Sequence, residues 1–177
     1  MGEHVERVRR EVRWFVDGDV GPELRPRGRS RRRIDRYDLH SLRPWSSVKR
    51  RGPGGNLERK ARVGSVELTT LGGLSGLCAF AETWAKTAAG PLHADGTWLE
   101  VDKELWTDRE LEIGTYRVGM QRGWTICIDL DRPLSRSTLG ALESWAPLLE
   151  RRGHCSSYAA WLGQHHRRPL AATASTE

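Results

Sequence analysis

Residues 47–64 read SVKRRGPGGNLERKARVG, two short charged runs on either side of a Gly/Pro-rich turn. In the first run Lys49 and Arg51 fall two apart; in the second, Glu58, Lys60 and Arg62 do the same. An extended chain points alternate side chains to opposite faces, so each run commits one whole strand face to charge. The pattern predicts a β-hairpin turned at GPGGN. Two environments accept such a face. One is water on the outside of an ordinary antiparallel sheet; the other is a polar cavity that holds a polyanion.

The chain has 177 residues, enough for one domain with its own core. Its formal net charge is +6 and its pI is near 9.7, which favours an anionic partner: nucleic acid, a phosphorylated small molecule or an anionic surface. Of 29 basic residues only Lys49, Lys60, Lys86 and Lys103 are lysines, and each sits in a segment readable as a strand. Cys78, Cys127 and Cys155 are odd in number and widely spaced, which fits a reducing compartment better than a disulfide scaffold. The opening MGEHVERVRREV has no apolar stretch of the kind that marks a signal peptide. No apolar run approaches the roughly 20 residues that span a bilayer. The expectation is a cytoplasmic protein without a membrane partner.

Period-two alternation recurs along the chain. It marks strands at 10–18, 32–39, 79–87, 97–106 and 123–131, beside the two of the hairpin. Between the first two lies GPELRPRGRSRRR (21–33), a Pro/Gly/Arg-rich loop, either solvated or in contact with phosphate. Residues 66–80 are ambiguous, because two Gly interruptions weaken a helix there. A helix is expected over 137–153, with Leu139, Leu142, Trp145, Leu148 and Leu149 at helical spacing, a kink at Pro147 and a stop at Gly153. A short helical turn follows at 156–162, capped by Ser156 or Ser157. Seven or eight strands with one long helix imply a mainly β, antiparallel fold, an eight-stranded barrel or tunnel with a C-terminal helix. In a closed barrel every second side chain points inward, so inward charge requires a wet bore. The organisation expected is a tail at 1–9, a single domain at 10–165 and a disordered tail at 166–177.

The order of several fragments resembles the CYTH superfamily, also called triphosphate tunnel metalloenzymes. Asp35-Arg36-Tyr37 resembles the D-x-Y after the family's first strand, and Lys49-Arg50-Arg51 its basic-x-basic strand. Leu57-Glu58-Arg59-Lys60 and Val101-Asp102-Lys103 resemble two strands with inward lysines, and Asp129-Leu130-Asp131 its late acidic pair. Ser157-Tyr158-Ala159-Ala160-Trp161-Leu162 resembles its closing S-Y-x-x-L-L. Together these cover about residues 10–162. The family's first-strand signature is E-x-E-x-K; here it reads Glu11-Val12-Arg13-Trp14-Phe15, with the second acid and the lysine replaced. Leu105 stands where an arginine would follow Lys103, and the late acids are aspartates.

The resemblance implies an eight-stranded tunnel whose basic residues hold a triphosphate while acids hold Mg²⁺ or Mn²⁺. A triphosphate carries about four negative charges near neutral pH, so several inward cations must oppose it. On this reading the cations are Arg13, Lys49, Arg51, Lys60, Arg62, Lys86 and Lys103, and the metal carboxylates are Glu11, Glu58, Glu82, Asp129 and Asp131. Catalysis would fall to Glu11, Glu58 and Lys60. With the signature degenerate, turnover is weak at best. The alternatives are a non-catalytic binder of a phosphorylated ligand and a basic nucleic-acid-binding module built on the arginine-rich loop. RGPGGN lacks the G-K-[ST] of a P-loop, and His154, Cys155, His165 and His166 match no standard zinc spacing.

Overall fold

The computed structural model describes residues 5–52, 56–71, 77–89 and 97–166, with the side chains of residues 5 and 6 left undescribed. Ten strands follow the chain in order: β1 (Val5–Asp17), β2 (Arg31–Asp38), β3 (Ser46–Arg51), β4 (Leu57–Arg62), β5 (Glu67–Thr70), β6 (Cys78–Ala88), β7 (Trp98–Asp108), β8 (Leu111–Val118), β9 (Gln121–Asp129) and β10 (His154–Cys155). Two helices, α1 (Arg136–Arg152) and α2 (Tyr158–His166), flank β10. No helix among the described residues is long and apolar enough to cross a membrane.

Eight strands close into an antiparallel barrel in the order β1-β9-β8-β7-β2-β3-β4-β6 and back to β1. The long first strand makes closure possible by pairing twice. Its later half, Glu11–Asp17, pairs with β9, while its earlier half reaches from Arg7↔Lys86 to Glu11↔Glu82 along β6. Beyond Glu11 the strands β1 and β6 part, and β10 fills the gap by pairing at Trp14↔Cys155. Strand β5 adds to the outer end of β6. The expected tail at 1–9 is thus corrected for its latter part, since residues 5–9 belong to β1. The GPGGN turn and the C-terminal tail fall largely outside the described residues.

The two faces of β1 explain the two halves of the interior. Val12, Trp14 and Val16 point out of the barrel and pack beneath Leu142, Trp145 and Leu149 of α1, with Ile126 and Ile128 of β9 alongside. Each such side chain contributes roughly 1.5–3 kcal/mol when fully buried. Helix α1 is capped by Ser135, whose hydroxyl accepts from Thr138 N–H. It runs through Pro147 as a single helix, undivided at the proline. At its end a Cβ on Gly153 would meet the Leu149 carbonyl at 2.4 Å, so close backbone approach requires glycine there.

The inner face of β1 carries Arg9, Glu11, Arg13 and Phe15. Phe15 stacks on Trp161 of α2 with ring centroids 4.7 Å apart, and Tyr116 meets the same indole edge-on at 4.7 Å. With Tyr37, Leu42, Val101, Val118 and Leu162 they form a second apolar cluster at one end of the barrel. Helix α2, capped by the Ser157 hydroxyl on Ala160 N–H, closes the bore against β1, β2, β7 and β8.

Candidate anion site in the barrel

Ion pairs that reach over an intervening barrel strand, between side chains that the register puts on the face covered by α2, locate the interior. Lys60 on β4 donates to Glu11 on β1 at 2.5 Å, passing over β6. Arg13 on β1 reaches Glu112 on β8 at 3.2 Å, passing over β9. Register carries the same face around the rest of the barrel: Lys49↔Glu58, Asp35↔Arg51 and Lys103↔Arg33 are opposed pairs. The inward cations are Arg9, Arg13, Arg33, Lys49, Arg51, Lys60, Arg62, Lys86 and Lys103; the inward carboxylates are Glu11, Asp35, Glu58, Glu82, Glu112 and Asp129. Nine cationic side chains against six carboxylates leave the bore three cations in excess, and Arg7, on the same face at the rim, adds a fourth.

The layer next to the α2 plug is dry. Lys103 donates to Asp35 at 2.9 Å and to the Tyr37 hydroxyl at 3.1 Å, and its ammonium lies 3.5 Å from the centre of the Tyr158 ring. Asp35 is fully buried and also faces Lys49 at 3.7 Å and Arg33 at 3.3 Å. Burial alone would raise the Asp35 carboxyl, but these three cations hold it well below the usual carboxylate range. Burial has the opposite success at Lys103 and Lys49, where it outweighs Asp35 and pulls both ammonium groups below their ordinary value.

Towards the other end, where β3 and β6 finish and β1 begins, the side chains are partly open to solvent. Arg9 pairs with Asp129 at 3.0 Å, and Arg51 with Glu58 at 3.3 Å. Glu11 and Glu58 are pushed up by burial, but the cations beside each, Lys60 and Lys49 foremost, bring both below the ordinary range. Glu82 goes the other way: burial raises it despite Arg62 at 3.2 Å. Across β1, β6 and β4 the register sets Arg7, Lys86 and Lys60 side by side on one face. Like charges directly opposed on neighbouring strands repel. Lys60 has Glu11 as partner and Arg7 approaches Asp129 at 3.6 Å, whereas Lys86 has no carboxylate within ion-pair distance among the described residues. Burial, offset mainly by Glu58, pulls the Lys86 ammonium down to about 8.

All the sequence-expected cations therefore lie in the bore, as do Glu11, Glu58, Glu82 and Asp129. Asp131 does not. It lies exposed on the turn two residues beyond the end of β9, where strand alternation has lapsed, and accepts from the backbone N–H of Arg10 at 3.1 Å. Sequence reading missed Arg9, Arg33 and Glu112, and gave Asp35 and Tyr37 no role in binding. For Arg9 the signal was present: it continues the period of Glu11 and Arg13 back into the segment taken as a tail.

Three of the carboxylates, Glu82, Glu11 and Asp129, stand directly opposed on β6, β1 and β9. A divalent cation such as Mg²⁺ needs oxygens arranged octahedrally at about 2.0–2.1 Å. Here each carboxylate turns to its own cation: Glu82 to Arg62, Glu11 to Lys60, Asp129 to Arg9. Among the described residues no three acidic, histidine or cysteine side chains converge as a metal site. The placement does not fit Mg²⁺ or Mn²⁺. A groove of about 320 Å³ on the outer wall, near Asp19, Arg122 and Trp124, contains none of the candidate residues, and its charges are largely paired, Arg32 with Glu104 and Arg117 with Asp102. Compared with known protein families and with curated proteins, the chain matches no family model and no individual protein.

Proposed function

We propose that the barrel is a receptor for a compact polyanion of the triphosphate class, held by the inward cations without metal-dependent turnover. The observation that carries this reading is the in-register row Arg7, Lys86 and Lys60, with Lys86 half-buried and unpaired among the described residues. A row of like charges at the mouth of a bore already three charges in excess is a standing cost to the fold. A multiply charged anion lying across the row removes that cost and gains charge-assisted hydrogen bonds from ammonium and guanidinium groups together. Triphosphate, with about four charges, matches the excess better than a monoanion does. The resemblance to the CYTH superfamily supports the same ligand class. The carboxylates committed to salt bridges, with Arg13 and Phe15 in the signature strand, support binding over hydrolysis.

The test is calorimetric titration with tripolyphosphate, orthophosphate and sulfate, with and without Mg²⁺, alongside a phosphate-release assay. Tripolyphosphate is expected to bind most tightly and to stabilise the fold by about 2.7 kcal/mol at a hundredfold excess over Kd. Mg²⁺, which complexes the free polyanion and cancels part of its charge, is expected to weaken apparent binding and to release no phosphate. Equal affinity for sulfate and tripolyphosphate sinks the ligand assignment; Mg²⁺-dependent phosphate release sinks the receptor assignment.

A further inference from the structure

The arginine-rich run before β2 delivers its chain to the mouth of the same bore. Strand β2 begins at the end of the barrel where β3 and β6 finish, so Arg31 and Arg33 lie at the end that carries Arg51 and Lys86. Arg33 turns inward to Asp35; Arg31, opposite Leu105, stands exposed at the rim. The arginines of this run are not equivalent. Arg25 is paired with Asp19 and Arg32 with Glu104, while Arg27, Arg29 and Arg31 are exposed and meet no carboxylate within ion-pair distance among the described residues. Unneutralised positive charge thus continues from the bore to Arg31 at the rim and back along the chain through the exposed Arg29 and Arg27.

We propose that Arg27, Arg29 and Arg31 form a lead-in track, and that the ligand is a linear phosphate chain longer than triphosphate, with one stretch in the bore and the remainder on the track. This rests on the polyanion reading of the bore. Chemistry near the track selects a phosphate chain without bases. Single-stranded nucleic acid is held by aromatic platforms, each stacked base adding about 1–3 kcal/mol. The exposed aromatic side chains among the described residues, Trp45 and Phe80, lie at the opposite end, where β3 and β6 begin. Trp106, on the track's side of the barrel, is engaged with Trp124 at 6.1 Å.

The experiment titrates the full chain and an Arg27→Gln/Arg29→Gln variant with linear polyphosphates of increasing length, from triphosphate upward, and with a single-stranded RNA of comparable charge. A longer chain offers more registers to the bore, so chain length alone raises apparent affinity; comparing parent and variant on the same polymer removes that factor. The variant is expected to bind long polyphosphate about tenfold more weakly than the parent, with its log–log salt slope reduced by about 1.4 for two lost contacts. Triphosphate affinity is expected to be the same in both. Equal losses for triphosphate and long chain, or no loss for either, overturn the track while leaving the bore reading intact. RNA bound as tightly as polyphosphate and weakened equally by the variant overturns the choice of a base-free chain. No binding of triphosphate to either protein removes the bore reading itself.

Discussion

Replacing Lys86 by methionine should stabilise the ligand-free protein and weaken its ligand. The side chain keeps its length and loses its charge. In the barrel the ammonium stands opposite Lys60 on one side and Arg7 on the other; burial above all, with Lys49 and Lys60 beside it, lowers its proton affinity from 10.5 to about 8. Each tenfold change in proton affinity is about 1.4 kcal/mol, so a sealed site would cost the fold about 3 kcal/mol; water at the mouth screens this to about 2 kcal/mol. The sign follows from proton counting. Between pH 8 and 10.5 the unfolded chain holds a proton that the folded chain has lost, so stability rises with pH through that window. Below pH 8 the full cost is present. Lys86→Met should therefore gain about 2 kcal/mol at pH 7, or about 4–8 °C in Tm for a chain of this size, and the gain should vanish by about pH 10.5. Urea denaturation at pH 7 and pH 10.5 measures it. With saturating tripolyphosphate the order should reverse, because the parent gains a contact the variant lacks. A variant less stable than the parent at pH 7, or a gain that persists unchanged at pH 10.5, would show that Lys86 is not the uncompensated charge described above.

Phe15→Lys, the change that brings the first strand closer to the CYTH signature, should not restore any activity but should unfold the plug. The ring is 1% exposed and stacked on Trp161, so the loss should reach at least the 3–5 kcal/mol typical of truncating a buried phenylalanine. A variant with parental urea midpoint would place position 15 outside the cluster. Asp35→Asn should cost about 3–5 kcal/mol at neutral pH by leaving Lys103 and Lys49 without their shared counter-ion. Because the Asp35 carboxyl is depressed, its contribution is present above the ordinary value of 3.8 and lost as pH falls through and below it. The acid limb of the stability curve should consequently be shallower in Asp35→Asn, and an identical acid limb would count against the three-cation assignment.

The barrel was legible because its strands alternate in charge as well as in hydropathy. Glu58, Lys60 and Arg62 read inward from sequence and lie inward. The same rule failed where alternation was masked. Strand β8 carries Gly114 on its inner face, and a Cβ there would meet Leu105 at 2.4 Å; that glycine, needed for packing, broke the pattern that would have announced the strand. Residues 5–9 read as a tail because their charges suggest solvent, yet Arg9 lies in the bore. Helix α2 was legible as a short capped turn, but its burial inside the barrel was not, since aromatic contacts with β1, β2 and β8 are long in sequence separation. The ion-pair partners were the least legible feature. Which carboxylate meets which cation depends on chords across the bore, and register sets these only once the barrel has closed.

The double engagement of β1 also bears on how the chain folds. Its final partners are β9, more than a hundred residues later in the chain, β6 and the short β10 near the far end. Every one of these contacts requires closing a long loop before any reward is collected, and non-local pairing of this kind slows folding. Of the ten described strands, the earliest in the chain is thus the last to be fully bordered. Until β9 and β10 arrive, β1 presents a row of unsatisfied backbone groups, and the arginines at 7, 9, 10 and 13 keep that waiting edge charged, a device that discourages pairing with a neighbouring chain.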